Sequence, residues 1–147
     1  MSEHRATVEW QRSGEFRPET YSRCHVVRFD EIAVPGTAAP GNIPSPALGG
    51  PGMDPEQAFV AALSACHMLW FLHLASQKKF VVERYVDEAV GVLDKTWVSK
   101  VTLKPAVTFS GNKPTEEEHE ALHHRAHEKC FIANSVKTEV LVEPCLK

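Results

Sequence analysis

The stretch Asp54–Lys79, DPEQAFVAALSACHMLWFLHLASQKK, constrains the fold of this chain more than any other. Asp54 can accept the free N–H groups of a first helical turn, Pro55 sits where a missing N–H costs nothing, and Glu56 and Gln57 place an acid and an amide in that turn. From Ala58 to Ala75 the residues are apolar almost all round, broken only by Ser64, Cys66, His67 and His73. Such a helix offers no polar face to water and must be covered on every side. An apolar run of this length also raises a membrane span. Two histidines and a serine in mid-run, a start capped as in a soluble helix, and no excess of Lys or Arg before it point instead to a core helix.

A chain of 147 residues, 43% hydrophobic and 24% charged, can bury one sizeable core, so a single domain over residues 1–147 is expected. A net charge of -3 with scattered basic residues gives no general attraction to nucleic acid or to an anionic membrane. The opening residues MSEHRATVEW lack the apolar core of an export signal, and the cytoplasm is the expected location. There Cys24, Cys66, Cys130 and Cys145 stay reduced, which argues against a disulfide framework and towards metal binding, redox chemistry or packing.

Around the central helix the chain alternates as strands do. Ala6–Gln11 reads as a strand buried on one face, and Tyr21–Phe29 as a second whose apolar face carries Arg23 and His25. A buried guanidinium without a partner is very costly, so Arg23 either reaches a carboxylate, lines a pocket, or snorkels to water from an edge strand. Residues 35–53 hold five prolines and five glycines and form a long loop, either a lid that delivers the chain beside Glu56 or a surface insertion. Val81–Asp94 and Trp97–Phe109 read as two long strands with a turn near Asp94 and Lys95. Thr115 and Glu118 form a capping box for a second helix, on which Leu122, Ala126 and Cys130 make a narrow apolar stripe. A strand over Lys137–Val142 closes the chain. These elements give an α+β architecture in which sheet covers helix. One short sheet cannot wrap a helix that is apolar all round, so a second copy is expected to supply the rest in an intertwined dimer.

Cys66 in mid-helix and Cys130 at the end of the second helix both point inward. Either alone reads as a small hydrophobe. Two together with a buried arginine favour a reactive pair, since a nearby guanidinium stabilises the thiolate that attacks. Cys24 and Cys145 read as incidental. A rival constellation is metal: His123, His127 and Cys130 stand at i, i+4 and i+7, with Cys66 and His73 seven apart on the other helix. A solvated polar face accounts for His123 and His127 without metal and is the favoured reading of the two, and His67 either hydrogen-bonds in the core or tunes Cys66.

DPEQAFVAALSACHM, followed about sixty residues later by AHEKCFIANSVKTEV, resembles the OsmC/Ohr family of osmotically inducible and organic hydroperoxide resistance proteins, over nearly the whole chain. The residues that carry the resemblance are Pro55 and Glu56, Ser64–Ala65–Cys66, and Cys130 with Asn134 and Ser135. It implies antiparallel sheets wrapping a long buried central helix in an intertwined homodimer. It also implies a thiol peroxidase acting on organic hydroperoxides, with no cofactor and no metal. Cys66 would become a sulfenic acid, Cys130 would condense with it to a disulfide, and a thiol or lipoyl-type reductant would restore both. Arg23, held by Glu56, would stabilise the thiolate and the leaving oxygen. On one straight helix Glu56 and Cys66 stand about 15 Å apart, so an arginine must bridge them or a second subunit must contribute. His67 and Phe131 stand where many members have Phe and Pro, which resembles a divergent branch. The alternative is a module on the same fold that binds metal or a small molecule through Cys66, Cys130 and nearby histidines.

Overall fold

The computed structural model of the chain describes residues 1–41 and 49–147, so the middle of the Gly/Pro-rich loop, expected as a lid or an insertion, lies outside the described residues. The chain forms two compact units, Met1–Ala58 and Phe59–Lys147.

The first unit holds an antiparallel sheet of β1 (Thr7–Glu9), β2 (His25–Phe29) and β3 (Ile32–Gly36), in that order. The β2–β3 connection is a two-residue turn closed by the Phe29–Ile32 pair, with Asp30 in the left-handed region at φ 51°. β1 is shorter than the expected strand over residues 6–11, and its three residues are all exposed rather than buried on one face. Residues 21–24 stay outside β2. Arg23 bends this segment by donating from Nη1 to the Tyr21 carbonyl and from Nη2 to the Pro18 carbonyl, both at 2.8 Å.

Helix α1 (Pro55–Gln77) starts where its caps place it. The Gln57 amide donates to Asp54 Oδ1 at 2.7 Å and the Asp54 amide donates to Gln57 Oε1 at 3.1 Å, a reciprocal cap that satisfies two orphan donors. Its buried positions, Leu63, His67, Phe71, Leu74 and Ala75, follow one stripe at helical spacing.

Where the alternation suggests two long strands, the second unit has four: β4 (Val81–Asp87), β5 (Val90–Asp94), β6 (Trp97–Leu103) and β7 (Pro105–Ser110). The two breaks are tied together, because the Lys104 amide donates to Asp87 Oδ1 at 2.6 Å and Pro105 has no N–H to continue the ladder. β5 and β6 then form a hairpin that turns at Lys95 and Thr96, close to the expected position, while β4 pairs with β7 in another sheet. Helix α2 (Glu116–Lys129) carries the expected box, with the Glu118 amide on Thr115 Oγ1 at 3.1 Å and the Thr115 amide on Glu118 Oε2 at 2.9 Å.

After a 3-10 turn at Ala133–Ser135, β8 (Glu139–Val142) runs parallel to β6 and β9 (Cys145–Leu146) parallel to β7. The sheets β5-β6-β8 and β4-β7-β9 are therefore mixed, where antiparallel sheets were expected. A helix separates β7 from the last strands, and a helical crossover lets the chain re-enter in the same direction.

Sheet β4-β7-β9 packs Val107 and Phe109 against Phe71, Leu74 and Ala75 of α1 and Leu122 and Ala126 of α2. Sheet β5-β6-β8 packs Val101 and Leu103 against Leu63. Burial of a side chain such as Phe71 or Leu63 is worth about 1.5–3 kcal/mol. β5 comes so near α1 that a Cβ on Gly91 would lie 2.5 Å from Val60 Cγ2, and only glycine fits there. The opposite face of α1 stays open. Ala61, Ala62 and Ala65 are exposed and Leu69 is 62% exposed, so one chain covers a single stripe of the helix and not every side.

Candidate active site

Helix α1 presents Cys66 half-buried at the wall of a pocket of about 320 Å³, lined also by Leu69, Trp70, His73 and Phe131. Trp70 anchors this wall, with Phe131 edge-on at 5.5 Å, His73 at 5.8 Å and the Lys129 ammonium 5.2 Å above its ring. The lining is mostly apolar and suits an apolar small molecule with one polar end.

Cys130 ends α2, and its amide donates to the His127 carbonyl at 3.2 Å. The side chain is 1% exposed, on the stripe that Leu122 and Ala126 begin. Its sulfur accepts the Ala133 amide at 3.4 Å, and the Cys66 thiol lies near enough to interact with it. Burial pushes the Cys130 thiol up to about 11; the Ala133 N–H opposes that shift and the Cys66 thiol adds to it. Both cysteines are free. The two sulfurs expected to act together are therefore neighbours, one facing a pocket and the other buried.

Three buried histidines form a row in the core. His67 Nε2 is 2.9 Å from His123 Nδ1, and His123 Nε2 is 3.2 Å from His119 Nε2. The His67 and His123 rings are parallel at 5.3 Å, and Phe71 stacks on His123 at 4.2 Å. Burial lowers His67 to about 4 and His123 to about 2, with neighbouring histidines adding to both shifts, and burial lowers His119 as well. All three rings are neutral at neutral pH. A solvated face for His123 is thus not what the fold provides: it is 2% exposed. His119 had no role in the sequence pattern, although it stands one turn before His123, because the surrounding glutamates read as a charged surface. Among the described residues no group of three or more His, Cys, Asp or Glu side chains is placed to hold a metal ion, so the rival ligand set does not converge.

Arg23 and Glu56 belong to the first unit, where both line a cavity of about 580 Å³ together with Trp10, Phe16 and Tyr21. Arg23 is 7% exposed and its guanidinium lies 3.4 Å above the Tyr21 ring. Two of its nitrogens are held by carbonyl oxygens rather than by the Glu56 carboxylate, and Nε is buried without a partner. Of the choices open to a buried arginine here, it lines a pocket. Cys24 and Cys145 are both exposed.

A family model described as OsmC-like protein matches residues 48–144. Among solved structures, an OsmC-like protein of unknown function from Vibrio cholerae is 50% identical, covers 98% of this chain and 99% of its own, and superposes with a TM-score of 0.93. Two more distant structures share the fold. The organic hydroperoxide resistance protein OhrB of Bacillus subtilis is 19% identical, with 99% of this chain and 98% of that one covered and a TM-score of 0.62. An organic hydroperoxide resistance protein OsmC from Legionella pneumophila is 21% identical, with 99% and 97% covered and a TM-score of 0.60. No curated protein matches the sequence.

Proposed function

The chain belongs to the OsmC-like protein family, and on that premise we propose that it is a thiol peroxidase that reduces organic hydroperoxides through Cys66 and Cys130. The observation that carries this reading is the contact between a pocket-facing thiol and a buried one, Cys66 with Cys130. Structures of the same fold named for organic hydroperoxide resistance support it.

The Cys66 thiolate attacks the hydroperoxide oxygen that bears hydrogen; the O–O bond breaks and the organic oxygen leaves as an alkoxide that takes a proton to become the alcohol. Cys66 is then a sulfenic acid. The Cys130 sulfur displaces its hydroxyl, forming the S–S bond, and the Cys130 proton leaves with the hydroxide as water. A dithiol of the lipoyl type returns two electrons and two protons to the two sulfurs and is itself oxidised to its disulfide. The apolar wall of Leu69, Trp70 and Phe131 favours an apolar organic group over hydrogen peroxide. Arg23 takes the role of stabilising the thiolate and the departing oxygen; its burial and its unshared Nε–H support that assignment, while Glu56 lines the same cavity without holding the guanidinium. A homodimer is part of the same reading, because the open apolar face of α1 at Ala61, Ala65 and Leu69 needs cover.

Intact mass tests the roles. Reduced protein receives one equivalent of cumene hydroperoxide. The expected result is loss of two hydrogens in the wild type, one added oxygen in Cys130→Ser and no rapid change in Cys66→Ser. An unchanged wild-type mass would overturn the reading.

A further inference from the structure

His67, His123 and His119 are 0%, 2% and 3% exposed, and no step of the thiol chemistry uses them. Apolar side chains would fill these positions at lower cost, since each buried imidazole must be desolvated and partnered. What the imidazoles add is direction. Around them α1 and α2 share an apolar cluster in which Phe71, Leu74 and Ala75 lie with Leu122 and Ala126. Apolar packing alone tolerates small shifts of one helix on another and loses its single arrangement before it loses stability. A hydrogen bond holds only over about 2.7–3.2 Å and a narrow range of angle. His67 Nε2 to His123 Nδ1, at 2.9 Å, is such a bond between the two helices. His119, one turn earlier on α2, takes the other nitrogen of His123 at 3.2 Å, and Phe71 stacks on the same ring at 4.2 Å. The His123 imidazole is therefore fixed on three sides.

Both ends of this tie are near the thiols along the chain. His67 follows Cys66 on α1, and Cys130 comes seven residues after His123, on the buried stripe that Leu122 and Ala126 begin. Seven residues of helix span about 10 Å, so a tilt of about 10° at His123 would move Cys130 by about 2 Å. A disulfide closes only while its two Cα atoms stand about 4.4–6.8 Å apart, a window of about the same width. Small freedom at the row is thus large at the sulfurs. Cys130 has a restraint of its own in the Ala133 amide on its sulfur, but that bond joins it to the following turn and not to α1.

We propose that the row of His119, His123 and His67 positions the thiol pair: it fixes α2 against α1 and so keeps Cys130 within bonding reach of Cys66. The three are positioning residues, acting through the two helices and not on the sulfurs. The proposal rests on the peroxidase reading, and it concerns the step in which the Cys130 sulfur displaces hydroxide from the Cys66 sulfenic acid. That step competes with a second hydroperoxide, which would give one oxygen to the sulfenic acid, making a sulfinic acid, and leave as its alcohol. A held Cys130 acts as a high local concentration of thiol and wins that competition. A loosely placed one does not.

The equilibrium of the Cys66–Cys130 disulfide with dithiothreitol buffers, read by mass after alkylation of free thiols, measures how well the pair is held. Diamide makes the disulfide, so a protein inert to hydroperoxide would sink the peroxidase reading and still allow this measurement to decide. His123→Phe keeps a ring stacked on Phe71, His67→Leu keeps the volume, and the two remove the bond between the helices from opposite sides. Each should weaken the disulfide by about tenfold or more, a potential about 30 mV less reducing. His67→Gln, whose amide replaces Nε2 as donor or acceptor, should stay within about twofold of the wild type. Val101→Ala, which loosens the separate core cluster against Leu63, should leave the potential unchanged and so separates lost positioning from lost stability. Wild-type potentials in both His123→Phe and His67→Leu, an equal shift in His67→Gln or in Val101→Ala, or failure of diamide to join the two cysteines would each overturn the proposal.

Discussion

Ser64 Oγ on α1 donates to one carboxylate oxygen of Asp87 at 2.5 Å, while the other oxygen accepts the Lys104 amide where β6 gives way to β7. One side chain thus ties the central helix to the point where two strands change sheets. Hydrogen bonds to an ionised group contribute about 1.5–3 kcal/mol each. Asp87→Ala should cost about 3 kcal/mol or more, and Asp87→Asn, which can still accept from Lys104, about half as much. Urea unfolding followed by circular dichroism measures both; equal stability in Asp87→Ala would show that the carboxylate does not organise the junction.

Acid should unfold the protein through its buried histidines. His67 and His123 are lowered from 6.5 to about 4 and about 2. The unfolded chain therefore binds protons that the folded chain refuses as pH falls below 6.5. Their stabilisation is complete above pH 6.5 and is lost on acidification, with His67 alone losing about 3 kcal/mol by pH 4. Denaturant midpoints between pH 7.5 and 4.5 should fall steeply in the wild type and less steeply in His123→Phe. A flat wild-type profile would contradict neutral buried rings.

Replacement of Arg23 separates position from charge. Arg23→Lys cannot reproduce two carbonyl contacts and the stack on Tyr21 from one ammonium. Oxidation of Cys66 by cumene hydroperoxide should slow by about a hundredfold in Arg23→Lys and Arg23→Gln alike. Wild-type rates in either variant would remove Arg23 from the reaction.

The open face of α1 makes a direct prediction about assembly. Sedimentation should find a dimer at micromolar concentration, and Leu69→Lys or Ala65→Lys, which place a charge on that face, should shift it to monomer. A monomeric wild type would mean that something other than a second copy covers the helix.

The sequence made some of this fold and site legible, and what it showed was local. Asp54 with Gln57 and Thr115 with Glu118 cap helices through contacts spanning three residues, and the helical period alone put Cys130 on the buried stripe. The divisions of the expected strands after Asp87 and at Lys104 were hidden because alternation runs straight across them; the contact that creates them joins residues 17 apart. The parallel pairing of β8 and β9 depends on where α2 returns the chain, which no window of residues records. Arg23 was recognisable as buried. Its partners were not, because the carbonyls of Pro18 and Tyr21 carry no mark in a sequence. His119 was obscured by the glutamates beside it, which describe the outer face of α2 and say nothing of the inner one.

Cys130 is at once the residue that caps the end of α2 and the buried thiol, and its sulfur holds the Ala133 amide that begins the following turn. Any bond made at that sulfur therefore pulls on a hinge. Oxidation would be felt first as loosening of the peptide groups around Ala133. The turn that leads into β8 would then serve as a gauge of electron occupancy, readable in its amide exchange without any probe at the pocket.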